Sequence, residues 1–447
     1  MPASYSLLKH GDPKAAVVLG TDGKRTVNDL RYDTETVRRH LERISHKQAI
    51  VVVCQDRYYQ TISMFAAWQL GRTVTLPANT HPTNLDTWAA SETGVVIHDT
   101  TYSSGDHVPA VLKAPRSENP PLAPLSPEQL LVRIYTSGST GTPQAHHKTA
   151  QQLFDEIDLH IRLFSLSELD CLVSTVPCHH IYGLLFGLLL PLRAGMPMER
   201  SIPLHATTIA ARIDALGATT LISTPVHLQS LATLDTGSLG SVRRVFCSGA
   251  PLSTQTVDQF YAKYSVPITE LLGSTETGGI AWRTRDAKEQ RLPAWQTLPG
   301  LTVSTNQHAQ LLLESPFLLH TENRPLQCAD RIEVVDARHF HHLGRSDDVV
   351  KIGGKRFSIL EIEQHIRNLP GVQDVALLII HTEQGRGTEL WAAIVATNTT
   401  AHGLKKALAD CIDPVAIPRR LRVVQALPRD TTGKLPKARL RRLFEHG

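Results

Sequence analysis

The sequence has no apolar run long enough to cross a bilayer. Its longest, residues 181–192, covers 12 residues and holds Gly183, Gly187 and Pro191, against the ~20 that a membrane helix needs. It reads as a buried core segment. The first 20 residues lack the basic-then-apolar pattern of a secretory signal. The six cysteines, Cys54, Cys171, Cys178, Cys247, Cys328 and Cys411, form no CxxC pair, so buried, reduced thiols are expected. An excess of one charge is missing too. The 46 basic and 42 acidic residues leave a net of only +4, too mild for a dedicated nucleic-acid binder. The Walker phosphate loop, GxxxxGK[ST], is absent, and no internal repeat recurs. A cytoplasmic protein that engages neither membrane nor nucleic acid is expected.

What remains is ordinary globular material. At 447 residues, with 41% apolar and 20% charged types, the chain has room for two or three domains and a large core. Charge is unevenly spread. Residues 348–447 hold 16 basic and 10 acidic residues, a net of +6, and the rest nets −2. Short β-branched runs at residues 49–54, 95–98, 130–136, 219–223 and 242–247 alternate with helix-compatible stretches at 27–43, 59–70 and 151–164. That alternation predicts α/β sheets, parallel or mixed, covered by helices. Residues 109–127 hold six prolines and read as a surface crossover. Beyond residue 348 a small α+β unit is expected. Ser358 and Glu361 suggest a capping box. Ile362, Ile366 and Leu369 fall on one helix face, and Pro370-Gly371 ends that helix. Strands at 374–380, 390–397 and 421–424 and a helix at 404–411 complete it.

The most informative segment is Tyr135-Thr136-Ser137-Gly138-Ser139-Thr140-Gly141-Thr142-Pro143. It follows a predicted strand. Its glycines let main-chain N–H groups turn toward an anion, and its hydroxyls add donors, which suits a triphosphate. Three more segments accompany it: Leu272-Gly273-Ser274-Thr275-Glu276-Thr277-Gly278-Gly279, Leu343-Gly344-Arg345-Ser346-Asp347-Asp348 running on to Gly353-Gly354-Lys355, and Leu427-Pro428-Arg429-Asp430-Thr431-Thr432-Gly433-Lys434-Leu435. In content and order these resemble the four motifs of the adenylate-forming superfamily. That superfamily comprises acyl- and aryl-CoA synthetases, the adenylation domains of peptide synthetases, and luciferases. Residues 1–130 carry no such motif.

The resemblance implies a large domain, 1–346, and a small mobile lid, 348–447, rotating about a hinge at Asp347. It implies that a carboxylate attacks the α-phosphate of ATP, pyrophosphate leaves, and a thiol then displaces AMP from the acyl-adenylate. Thr136, Ser137, Gly138, Ser139, Thr140 and Gly141 would hold the β- and γ-phosphates. Gly273 and Ser274 would flank the nucleotide, Thr275 would contact the α-phosphate, and Glu276 would hold Mg²⁺ through oxygen, the ligand type that ion prefers. Outside such a motif, a lone Glu after Ser-Thr is ordinarily a helix N-terminal acid. Gly249, Ala250 and Pro251, after Ser248, would lie against adenine. Asp330 would accept from the ribose hydroxyls, with Arg345 beside it. Lys434 would bridge the carboxylate and the α-phosphate. Gly353, Gly354 and Lys355 would line the thiol tunnel. For the acid, His180 takes the gate position within Pro177-Cys178-His179-His180-Ile181-Tyr182-Gly183. Gly183, Ser223, Thr224, Gly249 and Gly278 complete the expected pocket. No Asp occurs between Pro177 and Gly183, which argues against an α-amino acid.

The sequence departs from the family pattern at three points. Pro143-Gln144-Ala145 stands where Pro-Lys-Gly is usual, so the triphosphate lysine is lost; Lys148 substitutes only if the backbone turns it inward. Leu272 replaces the aromatic that stacks on adenine. Cys328-Ala329-Asp330 replaces Thr-Gly-Asp and keeps the carboxylate. The cluster His339-Phe340-His341-His342 has no accompanying cysteine pair and is not read as a zinc site. Nine basic residues against the single acid Asp430 give residues 419–442 a local +8, which suits an acidic acyl carrier protein or CoA. The short chain is similar to compact relatives that load aryl or fatty acids onto carrier proteins in aryl-polyene pigment clusters. A small aryl or short acyl acid is the expected substrate. Related readings stop at the adenylate or transfer the acyl group to an amine or to water. The competing reading from another class is a non-catalytic nucleotide-binding or carrier-docking subunit.

Overall fold

A strand that is apolar on both faces belongs inside a parallel sheet covered on both sides, and Ile50–Val53, Val74–Leu76, Leu172–Ser174 and Thr220–Ser223 are buried almost throughout. The computed structural model describes all of the chain except residues 1–3, 10, 45–48, 78–79, 81–84, 86–93, 101–104, 115–119, 138–142, 235–238, 287–291, 319–324, 346–348, 353–354, 382–387, 398, 410–411, 431–434 and 446–447. These residues form two compact units. The first comprises residues 1–293 with 298–301 and 315–322; the second comprises 294–297, 302–314 and 323–447. Compactness therefore divides the chain earlier than the expected rotation point at Asp347, which lies outside the described residues. A contact boundary and a point of motion are different quantities.

The first unit holds two sheets. In one, Asp106–His107, Val95–His98, Ile50–Val53, Val74–Leu76 and Leu130–Ser137 run parallel, and Pro143–Thr149 turns back antiparallel on the last of them. In the other, Ile268–Ser274, Arg244–Cys247, Thr220–Ser223, Leu172–Ser174, Met198–Glu199 and Ala16–Gly20 lie side by side and parallel. Antiparallel Gly278–Arg285 and Gly23–Thr26 flank that run. Helices fill the crossovers. Val27–Glu42 and Ala150–Leu163 each open on a capping box, Thr26 with Asp29 and Thr149 with Gln152, which satisfies otherwise orphaned N–H groups. The apolar run becomes a helix that widens to a π-turn at Leu185–Leu189. There the Leu190 N–H reaches back five residues to the Leu185 carbonyl, just before Pro191, which has no N–H to give.

Two sequence expectations need correction. The proline-rich segment is not wholly a surface crossover: it starts as a helical turn, Val108–Val111, and Leu125 is buried and pairs with Tyr5. Among the described cysteines, Cys171, Cys178 and Cys247 are buried thiols, but Cys54 and Cys328 are only partly covered.

The second unit holds an antiparallel sheet in the order Thr302–Thr305, Gln310–Glu314, Leu326–Val334, His339–Arg345, Trp295–Thr297. The hairpin Val349–Ile352 with Lys355–Ser358 follows. Next comes the sheet Val372–His381, Thr388–Ala396, Arg420–Val424 with helices Ile359–Arg367, Ala401–Ala409 and Lys437–Arg442. Ile362 and Ile366 are buried, as their spacing predicts, and Gly371 takes a positive φ of 80° where the helix stops.

Candidate active site

In open parallel sheets, ligands bind beyond the carboxyl ends of the strands. Four neighbouring strands of the first unit end at Ser174, Ser223, Cys247 and Ser274. The segments that follow them carry the candidate residues: His180 after the first, Thr224 after the second, Gly249, Ala250 and Pro251 after the third, and Thr275 with Glu276 after the fourth. The fold thus gathers at one edge residues spread over a hundred positions of sequence.

Glu276 is not a helix N-terminal acid. Ile268–Ser274 and Gly278–Arg285 form a hairpin, and residues 275–277 are its turn. Ser274 and Thr277 lock that turn reciprocally: each main-chain N–H donates to the other's hydroxyl, at 3.1 and 3.2 Å. Glu276 is exposed at the tip. An outward carboxylate on a fixed turn fits Mg²⁺, which takes one or two protein carboxylates and fills its other positions with water and phosphate oxygens.

The strands on either side of the candidate phosphate segment also form a hairpin. Leu130–Ser137 pairs with Pro143–Thr149, placing Thr136 opposite Gln144 and Ser137 opposite Pro143. Gly138, Ser139, Thr140 and Gly141, in the connection, lie outside the described residues. Gln144 is exposed and brings no charge. Lys148 does turn inward. It is 3% exposed, and its amine donates to the main-chain carbonyl of Glu276 at 2.9 Å. Burial pushes this amine below the usual lysine range, while the charges of Glu156 and Glu276 act in the opposite direction. One lysine thereby ties the hairpin of Leu130–Ser137 and Pro143–Thr149 to the hairpin that carries Glu276. Nearby, the Thr136 hydroxyl lies 3.2 Å from His146 Nε2.

Sequence reasoning missed the stripe behind these hairpins. Gln152, Glu156 and His160, four apart on Ala150–Leu163, are all buried on one face. The Gln152 amide donates to the Phe317 carbonyl at 2.9 Å, and Glu156 accepts the Gly279 N–H at 2.7 Å. A side chain at Gly278 would meet the Glu156 carboxylate at 2.4 Å, so that glycine faces the stripe. His160 lies within an aromatic cluster: its ring is 4.7 Å from Phe186 and stacks on Phe164, and Phe164 meets Phe246 at 4.8 Å and Trp282 at 5.6 Å. Tyr182 joins through Phe186 at 5.4 Å. The i, i+4, i+8 spacing was the available signal.

The expected acid pocket is more internally bonded than the sequence implies. His180 stands at the N-cap position of the helix Ile181–Leu184, makes no side-chain capping bond there, and lies 4.2 Å, ring to ring, from His179. A side chain at Gly183 would meet the Pro177 carbonyl at 2.0 Å, so its small size closes the turn on itself. Ser223 and Thr224 are buried; their hydroxyls lie 3.2 Å from Thr175 Oγ1 and His227 Nδ1 respectively. Gly249, with φ of 94° and open space where a side chain would stand, is exposed. Beneath the edge, wholly buried Arg57 donates to the carbonyls of Ser174 at 2.8 Å, Val176 at 3.1 Å and Ser201, and the Ser174 hydroxyl accepts the Val176 N–H at 3.2 Å; together they hold the path of residues 174–176.

Burial drives the His227 imidazole down to about 4, against about 6.5 in an unfolded chain. Its stabilising share is complete above pH 6.5 and declines as pH falls toward 4, because the unfolded chain binds that proton first. His227→Gln should therefore flatten unfolding free energy between pH 6.5 and 5 by about 1.5 kcal/mol. Urea titrations at those two pH values check this, and an unchanged acid slope would refute it.

In the second unit, Asp330 and Arg345 lie opposite one another on paired strands. The Asp330 carboxylate is 2.7 Å from His342 Nε2 and 3.9 Å from Arg345. Asp347, Gly353, Gly354 and Lys434 lie outside the described residues, and Lys355 opens the strand Lys355–Ser358. The segment leading to Lys434 is anchored: Arg429 clamps Asp374 with contacts of 2.9, 3.0 and 3.1 Å. Of the basic run, Arg422 donates to the Leu443 carbonyl and Arg420 lies over Trp391 at 4.4 Å. Lys437, Arg439, Arg441 and Arg442 are exposed on the last helix and form no ion pair among the described residues.

No described helix is long and apolar enough to cross a membrane. Residues 8–307 match the family model described as AMP-binding enzyme, and residues 361–434 match the AMP-binding enzyme C-terminal domain. Over 305 residues the chain is 28% identical to 4-coumarate–CoA ligase of Cereibacter sphaeroides, covering 67% of this chain and 69% of that one. Over 384 residues it is 24% identical to benzoate–CoA ligase of Thauera aromatica, covering 76% and 70%. The structure of ATP-bound MatB from Rhodopseudomonas palustris superposes with a TM-score of 0.83 at 19% identity, covering 98% of this chain and 97% of that one; this likeness shows the adenylate-forming fold. With the family model spanning well over half of its length, the chain belongs to the AMP-binding enzyme family and is an enzyme of the AMP-dependent acid–CoA ligase kind.

Proposed function

We propose that the chain joins a small aromatic acid to a pantetheine thiol through an acyl-adenylate. The observation that carries this reading is the convergence at the carboxyl ends of four adjacent strands, with the phosphate hairpin tied to the Glu276 hairpin by Lys148. In the first step a carboxylate oxygen attacks the α-phosphorus of ATP, the bond to the bridging oxygen breaks, and pyrophosphate leaves. Glu276 would hold Mg²⁺, which would supply charge neutralisation on the phosphate oxygens. The chain's own share is orientation. Thr136 and the segment after it hold the triphosphate, Thr275 faces the α-phosphate, Gly249–Pro251 lie along the base, and Asp330 accepts from the ribose hydroxyls. Lys434 stabilises the charge that develops at the α-phosphate. In the second step the thiol sulfur attacks the acyl carbon, AMP leaves and the thiol proton passes to solvent; the lid 348–447 turns about Asp347, and Gly353, Gly354 and Lys355 border the thiol.

A one-ring acid is the substrate class we favour. The names of the benzoate- and coumarate-activating relatives agree. Four exposed cations on the helix Lys437–Arg442 favour an acidic carrier protein over free CoA as the thiol donor.

Acid-dependent exchange of labelled pyrophosphate into ATP, run over benzoates, hydroxybenzoates, hydroxycinnamates and straight-chain acids, tests the reading. A one-ring acid should exceed the straight-chain acids at least about tenfold, the scale of a pocket fitted to one ring. Thioester should then form with holo-carrier protein faster than with CoA. Exchange with none of the acids would support the competing reading, a non-catalytic nucleotide-binding or carrier-docking subunit.

A further inference from the structure

The pairing of Leu326–Val334 with His339–Arg345 is irregular where the two candidate nucleotide residues meet. Asp330 pairs with Arg345 and Ile332 with His342, so Leu343 and Gly344 together oppose the single Arg331. Gly344 has a φ of 92°, a conformation that glycine adopts without strain. A bulge of this kind bends its strand and re-aims the side chains beside it. Here it turns His342 and Arg345 toward one carboxylate: His342 Nε2 is 2.7 Å from Asp330 Oδ1, and Arg345 Nη1 is 3.9 Å from Oδ2.

The same bulge fixes where the imidazole proton lies. The Gly344 N–H points at His342 Nδ1 from 3.4 Å. A main-chain N–H can only donate, so Nδ1 accepts and the proton sits on Nε2. The ring therefore donates to Asp330, occupying one of the roughly four lone-pair positions of that carboxylate. Those left are available to two hydroxyl donors.

We propose that His342 is a positioning residue for nucleotide recognition: held by Gly344, it aims the Asp330 carboxylate so that both ribose hydroxyls can donate to it. This rests on the ribose role proposed above for Asp330. The consequence is specific. Without the imidazole the carboxylate must be ordered at each binding event, and the cost falls on nucleotides that use it.

Equilibrium dialysis of the full chain with Mg²⁺ and either ATP or 2′-deoxy-ATP tests the idea without knowledge of the acid. Wild type should prefer ATP. His342→Phe should bind ATP about tenfold more weakly, the scale of one charge-assisted hydrogen bond, and 2′-deoxy-ATP less than about threefold more weakly, so discrimination shrinks. His342→Gln, whose amide places a donor where Nε2 stood, should restore most of it. An equal loss for both nucleotides would mean that His342 acts only through structure and would overturn the proposal. Asp330→Asn is measured alongside. If it abolishes discrimination but His342→Phe does not, positioning by His342 is wrong while the ribose role stands. If Asp330→Asn leaves discrimination intact, the ribose role itself is wrong. Should His342→Phe lose its cooperative melting transition, His342→Leu takes its place in the same comparison.

Discussion

Lys434→Ala should reduce acid-dependent pyrophosphate exchange by about a hundredfold or more, the usual effect of removing one preorganised donor from a developing oxyanion. Thioester formation from chemically supplied acyl-adenylate should stay within about threefold, since that step no longer breaks the bond at the α-phosphate. The split follows from the charge each half-reaction creates. Adenylation gathers negative charge on a phosphorus centre already surrounded by oxygens, and a desolvated ammonium there is worth far more than in water. Arginine should not rescue it, because a broad guanidinium does not replace a compact point charge. The clamp of Arg429 on Asp374 fixes the start of this segment, so the substitution should not disturb the sheet behind it. Exchange rates within threefold of wild type would refute the assignment.

Lys148→Met should lower the unfolding free energy by about 3 kcal/mol, the typical cost of leaving one partner of a buried charge set without its counter-charge. Lys148 and Glu156 are each 3% exposed, and Glu156 already spends one oxygen on the Gly279 N–H. Methionine has nearly the right shape, so the loss should come from charge and from the Glu276 carbonyl left without its donor. The double variant Lys148→Met with Glu156→Gln should recover about half of the loss, because glutamine keeps the acceptor for Gly279 and removes the uncompensated charge. Denaturant unfolding of wild type, Lys148→Met, Glu156→Gln and the double variant gives the coupling directly; a value under about 0.5 kcal/mol would show that the two charges do not depend on each other. The Lys148→Met protein should also bind MgATP more weakly, since the Glu276 turn, still locked by Ser274 and Thr277, then loses its tie to the strand Pro143–Thr149.

Much of the fold was legible because burial on two faces leaves a plain mark. The β-branched runs at residues 49–54 and 219–223 became Ile50–Val53 and Thr220–Ser223. The motif segments fell where strands end, as a phosphate loop after a strand predicts. What the sequence hid was contact between distant positions. The bond from Lys148 to Glu276 spans 128 residues, and neither neighbourhood announces the other. The hairpin at Ser274–Thr277 was hidden for a different reason: Ser-Thr-Glu is equally good at opening a helix, and only the pairing of Ile268–Ser274 with Gly278–Arg285 decides the matter. His342 stood in a histidine cluster that pointed nowhere until a bulge and a glycine N–H gave its two nitrogens different roles.

Arg57 has a consequence for how this protein can change. It grips residues 174–176 and 201 by their carbonyls, groups that every amino acid carries. That part of the anchoring does not depend on which side chains stand at those positions. The course of the chain here is therefore set from outside, by one buried guanidinium, as well as from within, by the hydroxyls of Ser174 and Thr175.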